Sequence, residues 1–89
     1  MKEFAERLKE LRKERDLSMD LLVEDLNARS DITFHKSNVS RWEANTSDPS
    51  LQHAKRIADY FDVSLDYMIG NTDTRLPTRL LAYAKGLKK

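Results

Sequence analysis

KSNVSRWEAN, Lys36 to Asn45, sets the only tryptophan of the chain among lysine, serine, asparagine, arginine and glutamate. A surface loop has no use for so large an apolar side chain, and a core strand would not carry those neighbours. A helix accounts for both. Wound helically, Val39, Trp42 and Glu43 share one side at i, i+3 and i+4, while Ser37, Ser40, Arg41 and Ala44 take the other. The segment buries one narrow stripe and displays small polar groups around one long guanidinium. A merely solvated helix would carry more glutamate and lysine at its outer positions. Small residues around an arginine let a helix approach another surface closely, and the major groove of DNA admits a helix of this width. Trp42 then anchors the helix, and its opposite face is offered to a partner.

The flanking segments read as further helices. Phe4, Leu8 and Leu11 fall at i, i+4 and i+7, which predicts an amphipathic helix over about 3–15, its other face a solvated mixture of acids and bases. Ser18 is placed as an N-cap, with Asp20 in the first turn, where a carboxylate favours the helix dipole. Leu17 and Leu22 are spaced as a hydrophobic staple, and Leu22, Val23 and Leu26 form the stripe of a second helix to about Arg29. Residues 27–33 read as a frayed end and a loop. A third helix covers Lys36–Ala44 and ends at Asn45, in the left-handed conformation asparagine tolerates. Ser50 caps a fourth, with Leu51, Ala54, Ile57, Ala58 and Phe61 inward. Val63-Ser64 opens a short fifth that Gly70 closes. Residues 71–76 read as a polar link, and 77–88 as a last helix with Leu80, Leu81, Ala84 and Leu87 along one side.

Eighty-nine residues make one small domain. With 35% charged and 39% hydrophobic residues, two glycines and two prolines, the mixture suits a helical protein better than an all-β one. There is no cysteine, hence no disulfide or thiolate metal site, which fits a cytoplasmic location. No apolar run approaches the ~18 residues of a membrane span, and the charged start is no signal peptide. The net charge is only +1, but it is unevenly spread. From Thr74 onward stand Arg75, Arg79, Lys85, Lys88 and Lys89 with no acid, whereas Ser18 to Asp73 holds ten acids and five bases. Any contact with nucleic acid must come from a local surface. No Gly-rich phosphate loop, nucleophile motif or metal-ligand set is present, so neither an enzyme, a cofactor nor a metal is expected. His35 and His53 stand eighteen positions apart without ligand spacing around them.

From Phe4 to Gly70 the chain resembles the lambda-repressor-like helix-turn-helix DNA-binding domain of Cro/CI type (the XRE family). RLKELRKERDLS, VSRWE and DPSLQHAKRIADYFDVSLDYMIG carry the likeness by their order and spacing. The resemblance implies an all-α, five-helix DNA-binding fold over residues 1–71. Residues 72–89 would be a linker and a basic amphipathic helix, serving dimerisation, packing back on the domain or leading into a longer chain. It implies base contacts from Lys36, Ser37 and Arg41, and backbone or secondary contacts from Ser18, His35, Asn38, Ser40 and Asn45. Arg12 and Glu43 would form a buried pair. The expected partner is double-stranded DNA with a pseudo-palindromic operator, bound by a homodimer, and the expected role that of a phage-type repressor. The alternative is a protein-interaction module, an antitoxin or adaptor, on the same fold. Departures from the family pattern bear on that choice. Met19 replaces the usual phosphate-binding glutamine, and Val23 the usual alanine. The segment from Leu26 to Val39 is several residues longer than the norm, as in a subset of temperate-phage repressors. NTSD follows the third helix where basic residues are common.

Overall fold

The computed structural model describes residues 1–77. Among them the chain forms α1 (Lys2–Glu14), α2 (Met19–Arg29), α3 (Lys36–Glu43), α4 (Leu51–Tyr60) and α5 (Leu65–Met68), with no strand. The expected all-α, five-helix architecture is present. Three helices begin on a serine. The side chains of Ser18, Ser50 and Ser64 accept the backbone N–H three residues on, from Leu21, His53 and Tyr67. Each satisfies a donor that the helix itself leaves open, an interaction worth about 1 kcal/mol. Leu17 and Val63 before two of these caps join the core along with Leu22 and Met68 in the next turn, as staples do.

Four helices also stop alike. Asp16, Asn45, Asp62 and Gly70 have φ of 53°, 58°, 57° and 88°. In each case this residue and the one after it donate back to carbonyls of the last turn. Asp16 N–H reaches Lys13 and Leu17 N–H reaches Arg12; Asn45 and Thr46 reach Trp42 and Arg41. Asp62 and Val63 reach Asp59 and Ala58, and Gly70 and Asn71 reach Tyr67 and Asp66. This left-handed stop satisfies the orphan carbonyls and turns the chain sharply. Glycine stands at only one of the four; there a Cβ would also lie 2.6 Å from Glu3 Cγ. The exception is α2, which ends at Ser30 in extended conformation, φ −107° and ψ 156°.

Phe4, Leu8 and Leu11 of α1 meet Leu22, Leu26, Val39, Trp42, Ile57 and Met68 in a single core, which Phe34 and Phe61 complete from the connections. One inward assignment needs correcting: Leu51 is 73% exposed. It lies in the first turn of α4, beyond the elements that cover the stripe, which begins at Ala54.

Residues 72–77 lie against α1 and α5. Arg7 donates to the carbonyls of Tyr67 and Thr72 and to the Asp73 carboxylate. Arg75 pairs with Glu10 at 2.8 Å and Glu14 at 2.7 Å, and donates to the Tyr67 hydroxyl at 3.1 Å. Both guanidinium groups lie by the Tyr67 ring, 4.2 and 5.4 Å from its centroid. Ser64 N–H bonds the Arg75 carbonyl and Pro77 is buried. The stretch read as a polar link is thus fastened at several points, and part of the α1 face read as solvated is engaged by it. The last amphipathic segment, from residue 78 onward, lies outside the described residues.

Candidate nucleic-acid interface

Phe34, 2% exposed, anchors the chain just before α3. His35 then takes the extended N-cap conformation, and eight residues of helix follow without a glycine or proline. Val39 is fully buried and Trp42 is 6% exposed. Trp42 meets Phe34 edge-on at 6.3 Å between ring centroids and His53 at 5.5 Å. Deleting a buried ring of this size typically costs about 3–5 kcal/mol, against a total stability of about 5–15 kcal/mol for a small domain. The position of α3 therefore rests on the same side chain that made it recognisable.

Beside Trp42, Glu43 closes a second anchor. Arg12 Nε and Nη2 donate to its two carboxylate oxygens at 2.7 and 2.9 Å, and Nη1 donates to the Leu17 carbonyl at 2.9 Å. The two side chains are 14% and 6% exposed. Hydrogen bonding to Glu43 raises the Arg12 pKa above its ordinary value, against the opposing effect of burial. The pair ties the end of α1, the turn after it and the end of α3 into one unit. Removing either partner would leave a largely buried charge unmatched.

The opposite face of α3 carries Ser37, Ser40 and Arg41, with Lys36 and Asn38 at its flanks. Lys36, Ser37, Ser40 and Arg41 are exposed and Asn38 is half-buried. Arg41 Nη2 donates to Asn38 Oδ1 at 2.8 Å, one turn back. Lys36 Nζ lies 3.0 Å from the Asp20 carboxylate in the first turn of α2. His35 is exposed and makes no side-chain cap bond, so it stands at the helix start without capping it. Asn45 lies past the other end, where Oδ1 accepts the terminal amino group of Met1, as does Asp48. Ser18 belongs to the start of α2, where its Oγ accepts from Leu21 and its hydroxyl proton is free to donate elsewhere. The candidates thus form a central group on α3, with Ser18 and Asn45 at its edges.

A helix-turn-helix family model matches residues 8–68, from the middle of α1 to the end of α5. The chain belongs to the helix-turn-helix family. It is also 36% identical over 70 residues to an uncharacterized HTH-type transcriptional regulator, YobD, of Bacillus subtilis (strain 168). That alignment covers 79% of this chain and 57% of the relative, so the chain spans little more than half of that protein's length. No solved structure matches.

Between α2 and α3 the chain spans residues 30–35. The connection is wide, yet it is fastened on both sides. Asn27 in the last turns of α2 bonds both backbone groups of Phe34, accepting its N–H at 2.7 Å and donating to its carbonyl at 2.9 Å. From α4, His53 Nε2 bonds the Thr33 carbonyl at 2.9 Å while Nδ1 lies 2.6 Å from Ser50 Oγ. A carbonyl can only accept, so Nε2 is the donor there, and in the neutral imidazole Nδ1 accepts from the Ser50 hydroxyl. The imidazole also stands edge-on to Phe34, 4.9 Å between centroids. One turn further along α4, Arg56 pairs with Asp31 at 3.0 Å, and this hydrogen bond holds the Asp31 carboxyl below the usual carboxylate range. From sequence, Asn27 reads only as part of a frayed end, and His53 lacks the spacing of a metal ligand. A signal for His53 did exist. It stands three residues after the Ser50 cap, the spacing at which a side chain reaches back to a cap residue. Among the described residues, no helix is long and apolar enough to cross a membrane.

Proposed function

We propose that the chain is a sequence-specific DNA-binding transcriptional regulator that reads the major groove with the outer face of α3. The observation that carries this is the division of that helix. Val39 and Trp42 are locked in the core while Ser37, Ser40 and Arg41 project from the other side with nothing bulky between them. Membership of the family supports it, as does the similarity to a protein described as a transcriptional regulator. On this reading Arg41 pairs bidentately with a guanine edge, and Lys36 and Ser37 read neighbouring bases. Asn38 and Ser40 serve phosphate or base. Ser18, His35 and Asn45 hold the backbone from the flanks, aided by the open amides at the start of α3. Two copies bind a pseudo-palindromic operator with half-sites a helical turn or more apart, and repression in the manner of a phage repressor follows from occupying a promoter.

A protein-interaction module is the second reading, favoured by the surface beside α3. Where a phosphate contact would be useful, α2 begins with Met19 and Asp20, and Leu21 next to them is 53% exposed. Selection of bound sequences from a random DNA pool, followed by titration of the winner at two salt concentrations, decides between them. DNA recognition yields an enriched motif and an affinity that falls steeply with salt. No enriched motif would leave the adaptor reading in possession.

A further inference from the structure

We infer that Asn27 and His53 are positioning residues for recognition: they hold the wide connection between α2 and α3 as a rigid splint that sets how α3 meets its target. This inference rests on the DNA-binding reading and adds to it residues that touch no DNA.

Each of the other four helices ends in a turn that closes within a few residues. The left-handed stops after α1, α3, α4 and α5 fix the chain's exit by local backbone bonds. After α2 there is no such stop, and the chain leaves extended at Ser30. Left to itself, a six-residue joint of this kind would allow α3 a range of angles, because its backbone groups could bond water equally well. Here side chains replace the missing turn. Asn27 presents an amide to Phe34 as a neighbouring strand would, donor to acceptor and acceptor to donor. His53 takes the next carbonyl back, Thr33, and is held by Ser50 so that its proton points there. Phe34 and Trp42 flank the imidazole, so the ring that holds the joint also touches the ring that anchors α3. Thr33 meets His53 and Asp31 meets Arg56, so the connection runs antiparallel along α4.

Recognition by direct contacts to base edges demands placement within a fraction of an ångström, which is set by supporting residues as much as by the contacting ones. Loosening the splint therefore leaves a folded protein whose α3 samples several approaches, weakening contacts that need geometry more than those that need only charge.

The test uses the full chain and the DNA sequence it selects from a random pool. Asn27→Ala, His53→Ala and His53→Gln are compared with the wild type, together with Leu65→Ala as a destabilised control remote from the joint. All are measured at a temperature where thermal melts show each to be folded. Asn27→Ala and His53→Ala should lose about two- to thirtyfold in affinity for the selected sequence, keep their affinity for scrambled DNA, and leave the salt slope unchanged. His53→Gln, whose amide reaches where Nε2 does and can donate to Thr33, should recover most of the loss. Leu65→Ala should lower the melting temperature without changing the ratio of selected to scrambled affinity. If Asn27→Ala fails to fold, the His53 pair decides. Wild-type selectivity in both alanine variants would overturn the inference and reduce the joint to a support of the fold. A wild type that selects no sequence would instead sink the DNA-binding reading, and the inference with it.

Discussion

Arg41 on the outer face of α3 and Lys36 at its flank carry the same charge, yet their neighbours prepare them differently. Asn38 holds the Arg41 guanidinium from one turn away and leaves most of its donors free. A planar fork so held suits two acceptors on one guanine edge, which a lysine point charge cannot match. Arg41→Ala should cost about 1–3 kcal/mol at the selected site and relax preference at one base pair per half-site. Arg41→Lys, keeping the charge, should lose nearly as much selectivity; titration against selected and scrambled DNA separates charge from shape. An unchanged ratio for Arg41→Ala would remove this residue from base reading. Lys36 instead spends its charge on Asp20, an exposed pair of the sort worth about 0–1 kcal/mol. Asp20→Asn, by releasing Lys36 to the base it is assigned, should therefore strengthen binding to the selected sequence more than to scrambled DNA. If Asp20→Asn weakens binding, that carboxylate takes part in recognition.

At the scale of the element, the helix beginnings and the buried stripe of α3 were legible because they follow from neighbours three and four residues apart. Ser18, Ser50 and Ser64 each announce a helix, and Trp42 in its polar run announces the anchored one. The helix ends were harder to read. Asn45 was recognisable as left-handed, but Asp16 and Asp62 take the same conformation without the glycine that usually marks it. Both are tolerated because a short polar side chain costs less there than a bulky one. Asp16 also puts a negative charge at the negative end of α1, where the dipole disfavours it. Asp16→Gly should therefore raise stability by roughly 0.5–1 kcal/mol, within the usual gain from an improved cap, seen as a higher denaturation midpoint at unchanged slope. A lower midpoint would mean that the Asp16 carboxylate supports the turn. The lock on the wide connection was legible only in the spacing of His53 from the Ser50 cap. Asn27 pairs with Phe34 only because the core holds Phe34 in place, and His53 reaches Thr33 from twenty residues away.

Over the whole molecule, the least legible feature was the return of residues 72–77, whose partners lie more than sixty positions back in α1. Its hydrogen bond from Arg75 holds the Glu14 carboxyl below the usual range. A depressed native pKa contributes stability that is present above the unfolded value and is lost as the pH falls through the native one. Arg75→Ala should lower the thermal midpoint near neutrality, and its deficit relative to wild type should shrink below about pH 4. An equal deficit at both ends of a pH series of melts would assign the tail's attachment to Tyr67 and the backbone bonds instead. The uneven helix stops bear finally on time. An end that closes within six residues forms as soon as the chain has wound, whereas the joint after α2 must wait for Phe34 and α4 to arrive. What assembles through distant partners also opens without dismantling the rest. The Phe34 amide, held only by the Asn27 side chain, should then exchange with solvent deuterium faster than the helical amides of Leu8 and Ile57. Exchange at the same rate as these would make the joint as durable as the core. With faster exchange, the joint opens briefly by itself while the four locally closed helices keep their shape.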